Sequence, residues 1–202
     1  MNDFTQSGIF RWASKLILFL LLSVLWVACC LPVVTIIPSC VALYDCTVAC
    51  IHGDEEGVCR RFFSTFKTVL LRGIGLSVLW LAVAAVLVTS FIFLNEMAKG
   101  NGFLQIYTTI YAGTMLIPLA LLAWLIPLES RFVQGFWAVN KTALSFSLIH
   151  LPTTGALLGI LAVGVLCIMT LPVLILVVPA IIVTIQSHLT EKVFDREVAK
   201  NN

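Results

Sequence analysis

Hydrophobic residues run along this chain in long blocks rather than in short alternating patches. Gly73 to Leu94 and Phe103 to Leu128 contain no Asp, Glu, Lys or Arg, and each exceeds the roughly 20 helical residues needed to cross a bilayer. Two longer apolar stretches, Leu16 to Tyr44 and Pro152 to Gln186, carry paired prolines, Pro32 with Pro38 and Pro172 with Pro179. Proline removes a backbone donor and disfavours helix in the residue before it, so each stretch is expected to break into a tight hairpin. Divided there, the pattern predicts six spans, at about 10–31, 36–51, 73–94, 103–128, 153–171 and 173–190. Five spans, with one long stretch crossing once, is the alternative, and the short helices around Pro32 also suit a re-entrant hairpin.

Two connections between blocks are amphipathic at helical spacing. From Arg60 to Arg72, Phe62, Phe63, Phe66, Val69 and Leu70 share one arc, with Asp54, Glu55 and Glu56 placed to favour the helix start. From Arg131 to Ser147, Phe132, Phe136, Trp137, Val139 and Leu144 are expected on one face, opposite Gln134, Lys141, Thr142 and Ser145. Both segments read as short helices lying flat at a membrane interface.

Composition removes the soluble alternatives. The chain is 60% hydrophobic and 11% charged, against about 45–50% and about 25% in an ordinary soluble domain. Residues 1–202 read as a single all-α integral membrane domain, a polytopic transmembrane helical bundle in contact with the lipid bilayer. Arg11 and Lys15 before Leu16 to Leu31 imitate a signal peptide, but apolar sequence continues past Cys30, and a retained first helix is the better reading. A net charge of +2, with the basic residues confined to block ends, argues against nucleic acid. With both termini in the cytoplasm, eleven Lys and Arg fall inside and only Lys99 outside, which fits the positive-inside rule for a multi-pass protein.

The run Leu25-Trp26, Cys29-Cys30-Leu31-Pro32-Val33-Val34-Thr35-Ile36, Pro38 and Ala42-Leu43-Tyr44 resembles the opening of the YesL family, domain of unknown function 624. Glu55-Glu56-Gly57, Arg61-Phe62-Phe63 and Phe66-Lys67 look like that family's first cytoplasmic segment, and His150-Leu151 is similar to its later one. Ile37 replaces a favoured Gly, Asp45 stands where an apolar or aromatic residue is usual, and the usual Asn-Phe after Lys67 is absent. The resemblance implies a bacterial cytoplasmic (inner) membrane protein of the kind commonly encoded beside carbohydrate uptake systems of the ATP-binding-cassette (ABC) type. The family's biochemical activity is not established, so the resemblance supplies little mechanism.

Candidate chemistry is sparse. Of seven cysteines, no two have Cys-x-x-Cys spacing, and Cys46 and Cys50, one turn apart near His52, read as packing residues rather than metal ligands. Nucleophile motifs, phosphate loops, paired catalytic carboxylates and metal signatures are missing, so no catalytic residue, cofactor or metal is expected and the protein is read as no enzyme. His52, His150 and His188 fall at inner boundaries.

Asp45 is the one carboxylate inside a predicted span. Either its short helix sits low enough to reach the headgroups, or Asp45 lines a polar crevice with Thr35 and Tyr44. Import permeases of the cassette type carry an ATPase-docking helix in which Glu stands six before Gly. Glu129, Gly135 and Ile149-His150-Leu151-Pro152 follow that pattern in part, with a gap one turn too long and two alanines absent. Phe62, Phe66, Glu129 and Gly135 are therefore candidate residues for docking on ABC-type permease or ATPase subunits. An accessory or regulatory role in carbohydrate uptake is the leading expectation; a small-solute transporter or channel is the alternative.

Overall fold

The computed structural model describes residues 8–54, 57–132 and 135–201, and among these every regular element is helical. α1 (Gly8–Cys30) and α2 (Ile36–Ile51) are joined through a 3₁₀ turn at Val33–Thr35; α3 (Val58–Met97), α4 (Gly102–Thr114), α5 (Leu116–Arg131) and α6 (Phe136–Ile149) follow. α7 (Leu151–Thr170) leads through a second 3₁₀ turn, Pro172–Leu176, into α8 (Val178–Asn201). Four stretches are long and apolar enough to cross a membrane: Val33–Ile51, Val58–Met97, Gly102–Arg131 and Leu151–Thr170. The described apolar part of α1, Ile17–Cys30, is shorter.

Both proline pairs break their stretches where expected. At the first, the Thr35 hydroxyl lies 2.6 Å from the carbonyls of Cys29 and Pro32, supplying a donor to the end of α1. Pro38 falls in the first turn of α2, where a missing N–H costs nothing. The orphan N–H of Ile37 donates to Ser77 Oγ of α3 at 3.2 Å, a side-chain cap supplied by a neighbouring helix.

One expectation is corrected, and another, the Phe103 to Leu128 span, holds with a break in it. The amphipathic stretch Arg60 to Arg72 is no separate surface helix but the first third of α3, a continuous helix of 40 residues, about 60 Å long and twice what a bilayer needs. No proline interrupts it, and Gly73 serves packing rather than a break: a Cβ there would stand 2.5 Å from Pro38 Cγ, so only glycine lets α3 lie this close to α2. Conversely, the block from Phe103 to Leu128 is divided at Met115. Pro118 explains the division, because its nitrogen cannot bond the Thr114 carbonyl and its ring crowds that oxygen.

Polarity is inverted relative to a soluble protein. Large apolar side chains such as Ile17, Val86, Phe93, Ile106, Val163 and Met169 face outward, while Ser39 and Thr47 are buried and return their hydroxyls to the carbonyls of Thr35 and Leu43, each at 2.7 Å. α2 is the buried hub, packed against α1, α3, α5 and α8. One core cluster joins α5, α6, α7 and α8 around Trp124, whose indole N–H donates to Thr154 Oγ1 at 2.9 Å. The other gathers Leu22, Leu43, Cys46, Cys50, Val58 and Phe62.

α6 is a distinct short helix, as expected, but its faces are partitioned differently. Val139, Ala143 and Ser147 turn inward, while Trp137, Leu144 and Leu148 form an exposed stripe with Lys141. Trp137 and Leu144 sit about 160° and about 140° from Val139 at 100° per residue, too far to share its arc. Glu55, Glu56 and Gln134, each given a place in the amphipathic reading, lie outside the described residues.

Candidate functional site

Charged residues gather at the end of the bundle where α2 runs into α3, α5 into α6, and α8 terminates, called the basic end below. The loop after α2 is short, and Gly57 enters α3 at φ +66°, a left-handed conformation that glycine adopts without strain. α3 thereby folds back along α2, so that Arg61 and Thr65, one turn apart, both face Asp45. Arg61 grips Asp45 with two parallel hydrogen bonds, Nε to Oδ2 and Nη2 to Oδ1, each 3.0 Å, and Thr65 Oγ1 donates to Oδ2 at 2.8 Å. The remaining Arg61 nitrogen reaches Asp54 Oδ2 at 3.0 Å. The fork matches a carboxylate geometrically, and such charge-assisted bidentate pairs are about twice as strong as neutral bonds.

Tyr44, the next residue along α2, points elsewhere because adjacent helical positions diverge by about 100°. Its hydroxyl lies 2.7 Å from Thr190 Oγ1 and 3.4 Å from Glu191 Oε1 on α8. Glu191 forms an ion pair with Arg131 at the end of α5, and Arg131 also reaches Asp195 Oδ1 at 3.5 Å and covers the Phe194 ring at 5.9 Å. A third link joins α3 to α5: Arg72 Nη1 donates to Glu129 Oε1 at 3.2 Å, while Glu129 Oε2 is buried with no hydrogen-bond partner among the described residues. These links tie α2, α3, α5 and α8 into an ionic belt. His52 and His188 line a cleft of about 180 Å³ beside it, with Glu191, Lys192 and Asp195.

Of the residues expected to form one crevice, only Asp45 lies in a polar groove, an open one shared with Asp54, Arg60, Arg61, Ser64 and Thr65. Thr35 is ten residues away, closing the α1–α2 turn, and Tyr44 serves α8. The docking set is scattered as well. Phe62 is 0% exposed and lies in the core, Phe66 is half-buried and stacked on it at 6.4 Å, and Glu129 is turned inward to Arg72. Only Gly135, which precedes α6, is exposed. Arg61, Thr65, Arg131 and Glu191 were not singled out by sequence. The i, i+4 pair Arg61 and Thr65, set behind a charged turn, was the available signal for the first two.

Asp45→Asn is expected to lower stability by about 1–2 kcal/mol. The estimate falls between the ~0–1 of exposed pairs and the ~3–5 of buried ones, since the Asp45 side chain is 22% exposed and that of Arg61 41%. Denaturation in mixed micelles measures it, and an unshifted midpoint would show that the fork contributes nothing.

Among the described residues, no three His, Cys, Asp or Glu side chains converge as metal ligands, and all seven cysteines are free. No curated protein and no solved structure matches this chain. A family match covers the opening helices, including the whole of α2 and the Asp45, Arg61 and Thr65 knot. Over residues 19–91 the chain carries the sequence signature of the family described as Protein of unknown function, DUF624.

Proposed function

We propose that this is a YesL-like protein of the bacterial cytoplasmic membrane, an accessory or regulatory component of an ABC-type carbohydrate uptake system, with both termini and the basic end in the cytoplasm. The observation that carries the reading is how the carboxylates are used. Each of the six described acidic side chains, Asp45, Asp54, Glu96, Glu129, Glu191 and Asp195, is ion-paired. Carboxylates that serve transport instead stand near mid-membrane, free to bind a travelling ion or substrate. Here four of the six, Asp45, Glu129, Glu191 and Asp195, cross-link helices, which suits a rigid scaffold.

Positive charge remains over. Arg60, Lys67, Lys141 and Lys192 are outward-facing or near the surface and have no acidic partner among the described residues. With Trp137, 77% exposed on α6, they offer an acidic partner a basic, aromatic-bearing surface. The family resemblance is what suggests the partner's identity. A photo-crosslinking residue at position 137 or 141, introduced in cells, is expected to capture permease or ATPase subunits of a carbohydrate importer. Capture of neither, alongside sugar uptake by the purified protein alone in proteoliposomes, would refute the reading and establish a transporter.

A further inference from the structure

Deep in the apolar part of the bundle, α1, α2, α5, α7 and α8 leave a half-enclosed chamber of about 190 Å³ between them. Its walls include Trp26, Leu43, Leu161, Val165 and Val183. Water is a poor occupant, because a buried water needs two to four polar partners. An apolar cavity of about 150 Å³ holds benzene, so this chamber has room for roughly six to eight carbon atoms of a chain.

Four lining residues carry polar groups, and of these the Trp26 indole N–H is engaged with Cys40 Sγ at 3.3 Å. The Tyr44 hydroxyl is already engaged with Thr190. The Gln186 side chain also lines the chamber, and its amide nitrogen is buried without a hydrogen-bond partner among the described residues. A buried donor left unmade is costly, and native proteins supply an acceptor wherever one is available. The terminal torsion of glutamine is soft and broad, so a modest turn brings an N–H toward the chamber.

Gln186 lies one turn before Thr190 and Glu191 of the ionic belt, about 6 Å along α8. That depth is the boundary between charged and apolar zones, where the ester carbonyls of a membrane lipid lie. We infer that the chamber binds the end of an alkyl chain bearing a carbonyl, with the carbonyl accepting a hydrogen bond from Gln186 and the chain filling the space between α1, α7 and α8. A glycerolipid ester and a free fatty acid share this chemistry. The site is independent of the proposed role in carbohydrate uptake.

In proteoliposomes, phosphatidylglycerol carrying a diazirine in one acyl chain is expected to label chamber-lining positions on α7 and α8 at least fivefold above outer positions such as Val86 or Ile106. Equal labelling would overturn the site, and this comparison needs no variant. Native mass spectrometry of delipidated full-length protein then adds three arms: ester-linked phosphatidylglycerol, its ether-linked analogue without carbonyls, and oleic acid. One ester lipid or one oleic acid per chain is expected, and whichever binds more tightly names the source. Val183→Phe, which fills the chamber, is expected to reduce binding at least tenfold. Gln186→Leu is expected to remove a fivefold preference for ester over ether lipid. Binding unchanged by Val183→Phe, or an ester preference that survives Gln186→Leu, would overturn the inference.

Discussion

Arg72→Met is expected to destabilise the protein by about 3–5 kcal/mol, the cost of stranding a buried carboxylate. The Glu129 side chain is 1% exposed, and one of its oxygens has no hydrogen-bond partner among the described residues, so Arg72 is its main compensation there. The companion expectation is sharper. Arg72→Met combined with Glu129→Leu should recover most of the loss, because with Arg72 gone the remaining cost is the buried Glu129 carboxylate, which an apolar side chain of similar size removes. Reversible denaturation in mixed micelles reads both. A single variant within about 0.5 kcal/mol of the parent, or a double variant worse than the single, would contradict the assignment of this pair.

Phe62→Ala carries the second large effect, about 3–5 kcal/mol for truncating a fully buried phenylalanine. Phe62 packs with Leu22, Leu43, Cys46 and Val58 and meets Phe63 edge-on at 5.8 Å. Its neighbour Phe63 is 43% exposed, so Phe63→Ala is expected to cost well under half as much. The pair separates two roles that sequence alone merges. A docking residue on the surface would lose partner binding without losing stability, whereas Phe62 is expected to lose stability first. Equal midpoints for the two variants would return Phe62 to the surface.

The helical class and both proline hairpins were legible because they rest on local rules. Long uncharged runs and proline's missing donor act within a few residues, wherever the rest of the chain lies. The continuity of α3 was obscured by charge: Arg61, Lys67 and Arg72 mark an interface, but charge does not end a helix, and nothing between Val58 and Met97 does. The division at Met115 was readable from Pro118 and was hidden by the uniform apolarity around it. The ionic belt was the least legible part. Arg72 and Glu129 are 57 residues apart, and their meeting depends on how α3 and α5 pack, which no spacing rule encodes. Asp45 stood out as the one carboxylate inside a predicted span, but the Arg61 that pairs with it lay in the segment read as a surface helix.

The charge distribution along the bundle is what the proposed orientation rests on. Lys99 pairs with Glu96 at 2.7 Å in the turn between α3 and α4, at the opposite end of α3 from Arg61, while Arg60, Lys67, Lys141 and Lys192, without an acidic partner among the described residues, lie at the basic end. The account requires that the basic end face the cytoplasm, where an importer's ATPase would be reached. Single cysteines at positions 57 and 102, on a background lacking the native seven, test this directly with a membrane-impermeant maleimide in intact cells. Labelling at 102, with 57 protected until the membrane is opened, is the expected result; labelling at 57 with 102 protected would contradict the account.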